Sequence, residues 1–184
     1  WQTDFSLTMP ESMASGVYCA RLRGAGDEER IPFFVRPPAG KITADAVLLI
    51  STATYMAYAN MQWSMNTIFA EPKGGGITVL GRDDVFLQEN PGYGLSLYDK
   101  HSDQTGVCYT SRLRPIFNMR PKTGVWSFNA DTHVTDWLEK IGQGFDVVTD
   151  EDIHQEGLAA IEPYRVVITG AHPEYWTTPM WDAM

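Results

Sequence analysis

The sequence predicts an open α/β fold: a parallel sheet with flanking helices, preceded by a β-hairpin and interrupted by a long irregular insertion. Three observations carry this. Residues 44–50, ADAVLLI, form a continuous apolar run bounded by polar residues, the pattern of a strand covered on both faces. Two further runs, FDVVT at 145–149 and RVVIT at 165–169, repeat it. Between those two, Asp150 stands where a helix cap belongs, and Ile153, Leu158 and Ile161 share roughly one face before Pro163. The result is a β-α-β unit, for which a right-handed crossover is expected.

The other elements follow in order. VYCARL at 17–22 and IPFFV at 31–35 are β-like and separated by the turn-rich GAGDEER, which predicts an antiparallel hairpin. PPAG at 37–40 closes this first region, 1–40, and the α/β domain is expected over 41–184 with its insertion at 60–130. After ADAVLLI come GGG at 74–76, the short strand-like ITVL at 77–80, PGYG at 91–94 and many aromatics, with no long helical pattern. A helix is then signalled by Asp131 or Thr132 as cap, by Val134, Trp137, Leu138 and Ile141 at helical spacing, and by Gly142 as stop. The chain opens on WQTDFSLTMP without an initiator methionine. It closes within what reads as the first turn of a helix at Thr177, Thr178 and Pro179, so a fragment of a longer chain, truncated at its C-terminus, is expected.

At 43% hydrophobic and 20% charged, 184 residues suffice for a substantial core. The formal charge of -9, from 23 acidic and 14 basic residues, argues against a nucleic-acid surface and for a small or neutral ligand. Cys19 and Cys108 make neither a disulfide scaffold nor a zinc spacing, which predicts a reducing, cytoplasmic setting. No apolar run approaches the roughly 20 residues that cross a bilayer, so no membrane association is expected.

In open α/β sheets ligands bind beyond the carboxyl ends of the strands. Two segments land there: STATYMAYAN at 51–60 and GAHPEYW at 170–176. Tyr55 and Glu174 are therefore expected in one crevice, although a half-buried aromatic and a helix N-terminal carboxylate are the plainer readings of each. In SLYDKHSD, 96–103, the alternating Asp99, His101 and Asp103 would share one side of an extended segment, as a metal site or as a solvated strand face. PKGGG at 72–76 lacks the Gly-Lys-Ser/Thr ending of a phosphate loop and reads as a turn. The basic run RLRPIFNMRPK, 112–122, reads either as surface ion pairs or as a subunit contact. His-Pro-Glu also occurs in class I glutamine amidotransferases beside a catalytic cysteine on a glycine-flanked elbow. Here Cys108 has Gly106 before it but Thr110 where the second glycine belongs, and Cys19 lies in the hairpin, so a thiol nucleophile is missing.

Four stretches, ADAVLLISTATYMAYAN, SLYDKHSDQTGVCYTSRLRPIFNMRPK, FNADTHVTDWLEKIGQGFDVVTDEDIH and VVITGAHPEYW, together resemble the large (beta) subunit of N,N-dimethylformamidase. The resemblance covers most of the chain and is strongest from about residue 44 onward. It implies a glutamine-amidotransferase-like α/β domain and an amidase that cleaves N,N-dimethylformamide to formate and dimethylamine. It also implies a small subunit as partner in a hetero-oligomer, and a mononuclear iron, as Fe(III), bound by two tyrosines and a glutamate. Residue by residue, these match Tyr55, Tyr98 and Glu174, with Tyr58 and Tyr93 as neighbouring alternatives. The family often has Ser-Thr-Tyr-Asp where this chain has Ser-Leu-Tyr-Asp, which spares the tyrosine. Two phenolates and a carboxylate are hard anionic donors suited to Fe(III). His172 and His101 stand close in sequence to Glu174 and Tyr98 and are the acid-base candidates. The alternatives are an amidotransferase-like hydrolase whose nucleophile lies outside this chain, and a non-catalytic subunit-interaction segment.

Overall fold

The structure, a computed structural model, describes residues 2–61, 81–120, 123 and 126–184. The strand expected at 77–80 and the glycines at 74–76 lie outside the described residues. Two compact units are distinguished: Met56–Asn118, and Gln2–Tyr55 together with Met119–Met184.

In the second unit, β1 (Gly16–Gly24) and β2 (Asp27–Val35) form the expected antiparallel hairpin, longer than the apolar runs alone indicate. The turn is only Ala25-Gly26, with φ of 51° and 80°, the left-handed pair that matches the twist of a two-residue hairpin. The charged residues of GAGDEER therefore continue the ladder. Glu28 on β2 takes ion pairs from Arg21, Arg23 and Arg30, and its hydrogen bond from Arg21 does most to hold its carboxyl below the usual range. Ser15 ties the hairpin to the sheet: its hydroxyl donates to Val35 O (3.0 Å) and accepts from Val147 N (2.9 Å). Arg36 forks onto Glu156 (2.7 and 3.0 Å) and reaches Asp152 (2.6 Å).

The parallel sheet has the order β4-β3-β5, with β3 (Ala46–Ile50) between β4 (Phe145–Thr149) and β5 (Val166–Thr169). Being central explains why every residue of β3 is buried. Each of its Val, Leu and Ile side chains removed from water contributes about 1.5–3 kcal/mol. β5 departs from the expectation of two covered faces: among the described residues it lies at one edge of the sheet, as β4 does at the other, but unlike β4 it has no buried residue, and Val166 is 51% exposed. Val47, Leu49, Val148 and Ile153 pack with Ile161 and Met180 in one cluster. At the N-terminal end of the sheet the fully buried Asp146 accepts from Thr43 N (2.7 Å), Thr43 Oγ1, Ala44 N (3.3 Å) and the Tyr164 hydroxyl (3.1 Å). A buried carboxylate is tolerable when donors surround it in this way.

Several helical boundaries differ from the sequence reading. STATYMAYAN is a helix after its first residue: α1 spans Thr52–Tyr58. In the first unit α2 (Arg82–Glu89) falls where no helix was expected. In the second, α3 (Phe128–Lys140) begins before the predicted caps, with Ser127 as N-cap, so Asp131 and Thr132 lie inside it. Its buried face is Phe128, Asp131 and Leu138, while Trp137 and Ile141 are exposed. Phe128 sets this start by packing on Tyr55 and Phe34, with ring centroids 5.7 and 6.2 Å away. The helix α4 (Asp150–Glu156) is capped by Thr149, whose backbone N donates to Asp152 Oδ2 (2.8 Å) in a capping box. Asp150 does cap a helix, but not its own: its Oδ2 accepts from Ala53 N (2.9 Å) at the start of α1. The helix α5 (Thr178–Ala183) follows Thr177 as N-cap.

Candidate functional site

Within the first unit the Ser-Leu-Tyr-Asp motif is a tight turn. Asp99 Oδ2 accepts from Ser96 N (2.8 Å), Ser96 O accepts from Asp99 N (3.1 Å), and the buried Ser96 hydroxyl donates to Ala57 O (3.0 Å) on α1. Serine and aspartate thus fold the turn onto the helix, and Tyr98 projects from it. Its ring stacks on Tyr58, with centroids 4.4 Å apart, and its hydroxyl donates to the Tyr58 hydroxyl at 2.8 Å. Tyr58 is buried, whereas Tyr98 is 40% exposed. Arg114, one of the basic run, is an internal clasp: it donates to the carbonyls of Gly94 (2.8 Å), Leu95 (3.0 Å) and Ala59 (3.2 Å) and to Thr110 Oγ1 (2.7 Å). Burial pushes its guanidinium below the ordinary value. Arg120 of the same run, in the second unit, pairs with Glu29 there. Tyr93 packs on Phe86 at 5.3 Å.

The alternating Asp99, His101 and Asp103 do not line an extended face. Residues 99–107 reverse on themselves through a Lys100–Gly106 bridge, with His101 N donating to Thr105 O (2.9 Å). Asp99 is spent inside the turn, where burial raises its pKa, and Asp103 accepts from Thr105 N (3.0 Å) and Oγ1 (2.7 Å). His101 is exposed. Among the described residues no group of three His, Cys, Asp or Glu side chains is placed to hold a metal ion. Cys19 and Cys108 are exposed free thiols.

Within the second unit the two segments expected beyond the strand ends do meet, directly through Thr54 and by way of Tyr55 and Asp131. Thr54 Oγ1 accepts from Glu174 N (3.0 Å) and Tyr175 N (3.3 Å). The Tyr55 hydroxyl donates to Asp131 Oδ2, and Asp131 Oδ1 accepts from Ala171 N (2.5 Å). Tyr55 is 2% exposed, and burial first, then the charges of Asp131 and Asp150, push its phenol far up, so it keeps its proton. The Tyr55 hydroxyl is thus engaged by Asp131, whereas the Tyr58–Tyr98 pair brings two phenol oxygens together. His172 Nε2 lies 3.0 Å from Glu174 Oε2, and its ring stands 5.2 Å from that of Trp126. Burial pushes the Asp150 carboxyl up to about 7; its Oδ1 meets no partner among the described residues. In sequence Asp131 reads only as a helix cap, because it sits on a buried face that apolar periodicity assigns to hydrophobic residues, and nothing in the spacing of Thr54 marks it.

A cavity of about 520 Å³ lies elsewhere in this unit, between the hairpin and the start of α3, lined by Tyr18, Arg30, Met119, Phe128 and His133 among others. It contains none of the expected ligands, and Arg30 at its wall is already paired with Glu28 at 2.5 Å. Among the described residues no helix is long and apolar enough to cross a membrane.

Comparison with known proteins agrees with the resemblance read from the motifs. The profile of the family described as N,N-dimethylformamidase beta subunit-like, C-terminal, matches residues 1–184. The N,N-dimethylformamidase beta subunit of Paracoccus aminophilus is 43% identical over 189 residues, covering 100% of this chain and 25% of that protein. Its namesake from Alcaligenes sp is 42% identical with the same coverage. The chain spans about a quarter of the length of these curated relatives. It belongs to the N,N-dimethylformamidase beta subunit-like C-terminal family.

Proposed function

We propose that the protein is the large subunit, or its C-terminal part, of an iron-dependent amide hydrolase acting on N,N-dimethylformamide and similar small N-substituted amides, with formate and dimethylamine as products. The observation that carries this reading is the 2.8 Å approach of the Tyr58 and Tyr98 hydroxyls on a chain 43% identical to a dimethylformamidase subunit. Tyr58 and Tyr98 are the proposed phenolate ligands, with Tyr58 in place of Tyr55 because the Tyr55 hydroxyl is held by Asp131. Glu174 is the proposed carboxylate ligand. It is supported by the resemblance, and by its place in the loop that follows β5 in its own unit. Fe(III) bound by donors of this kind would supply Lewis acidity toward an amide carbonyl and toward water.

The chain's own groups do the rest. The Ser96–Asp99 turn fixes Tyr98 against α1, so the two phenols are preorganised. With Glu174 ionised, His172 Nε2–H donates to Oε2 and aims the carboxylate, and its imidazole is the proposed acid-base group for the departing amine. His101, on an exposed turn, is the weaker acid-base candidate. The amidotransferase-like architecture and the partnership with a small subunit in a hetero-oligomer belong to this same proposal. The beta-subunit naming of the relatives supports the latter. Iron content and the visible tyrosinate band of the full-length protein test it. Tyr98→Phe and Glu174→Gln are expected to lose both, and iron retained at the wild-type level in either variant sinks the ligand assignment.

A further inference from the structure

The loop 170–175 has no regular secondary structure, yet its backbone is held at both ends by buried side chains. Asp131 Oδ1 takes Ala171 N at one end, and Thr54 Oγ1 takes Glu174 N and Tyr175 N at the other. Thr54 is fully buried, and Asp131 and Tyr55 nearly so. Asp131 is itself fixed by the Tyr55 hydroxyl. A Cβ on Gly170 would overlap the Asp131 carboxylate, so this carboxylate also dictates which residue can leave β5. The residue whose amide Thr54 holds is Glu174, and its neighbour's amide shares the same oxygen. That oxygen comes from α1, whose N-terminus is secured by Asp150.

From this arrangement we infer that Thr54 is the positioning residue for Glu174: its hydroxyl oxygen fixes the Glu174 backbone, and Asp131 with Tyr55 fixes the upstream end of the same loop. The metal role of this clamp rests on the reading of Glu174 as an iron ligand. A carboxylate on an irregular loop reaches one place only if its backbone is immobilised, and outer partners of this kind set ligand geometry without touching the metal.

Two variants of the full-length protein test it. Thr54→Val keeps the side-chain shape and removes the acceptor; Thr54→Ser keeps the acceptor. In metal-free protein, amide hydrogen exchange at Glu174 and Tyr175 is expected to accelerate about tenfold in Thr54→Val, the equivalent of one hydrogen bond, and to stay at the wild-type rate in Thr54→Ser. On titration with ferric iron, affinity is expected to fall about 10- to 100-fold in Thr54→Val and to recover in Thr54→Ser. Should Thr54→Val not fold, Thr54→Ala removes the same acceptor without added bulk and gives the same readings. Unchanged exchange at Glu174 and Tyr175 overturns the clamp. Faster exchange with undiminished iron affinity overturns its positioning role. A wild-type protein that binds no iron overturns the ligand reading and the metal role with it. Because exchange is measured without metal, that failure is distinct from failure of the clamp.

Discussion

Tyr55 and Tyr58 are three residues apart on α1 and chemically opposite in setting. Burial and two carboxylates keep Tyr55 a phenol, while the Tyr58 oxygen meets that of Tyr98. Tyr55→Phe is expected to keep iron and colour and to lower stability by about 1.5–3 kcal/mol, the range for a hydrogen bond to a charged group, read by denaturant unfolding. Tyr58→Phe is expected to lose iron at little cost in stability; the reverse pattern would restore Tyr55 as ligand. Asp150 supplies a pH dependence. Its folded pKa, about 7, lies above the ordinary 3.8, because burial disfavours the charge. Below pH 4 the group is protonated in both states and imposes no penalty. Between pH 4 and 7 the unfolded chain releases the proton and the folded chain keeps it, so the stability difference falls, and above 7 the loss is complete. Asp150→Asn is therefore expected to stabilise the protein more at pH 8 than at pH 4, measured by urea unfolding. An equal effect at both pH values would remove Asp150 as the source.

Among the elements, those written in apolar pattern were legible from sequence: β3, β4 and the hairpin appear where AVLLI, FDVVT, VYCARL and IPFFV place them. What escaped was set by tertiary partners. The chain from Thr52 to Tyr58 reads as a loop until Asp150, from the neighbouring strand end, supplies the acceptor its first turn lacks. The start of α3 is displaced because Phe128 has an aromatic nest to fill, which outweighs the capping preference of Asp131. The metal trio failed because alternation in sequence means a shared side only in a strand, and residues 99–107 turn. For the proposed ligands, the motifs single out Glu174 and Tyr98, while Tyr55 and Tyr58 differ only in their hydroxyl contacts, which no sequence pattern displays. The exit from β5 offers a direct test: Gly170→Ala is expected to cost about 1–3 kcal/mol through overlap with Asp131, seen as a lowered melting temperature and faster exchange at Ala171. A neutral effect would show that the carboxylate can move aside.

At the scale of the molecule, the chain is a quarter of its relatives' length and carries exposed aromatic surface. Trp181 on α5 is 70% exposed and packs on Trp176 at 5.6 Å. Produced by itself, the 184-residue chain is expected to self-associate in light scattering, and Trp181→Ser to reduce that association. A monodisperse chain would show that the surface needs no cover. The placement of β3 bears on how the protein is made. The clamp at the base of the sheet joins Thr43 to Asp146 across 103 residues, and β3 cannot pair until β4 has left the ribosome. At about 5–20 residues per second, AVLLI waits on the order of several seconds as an unpaired, wholly apolar strand. Folding of this region is thus governed by non-local closure and is slow by topology. In the cell the vulnerable period is translation, when a chaperone that shields a five-residue apolar segment would raise the yield of folded protein.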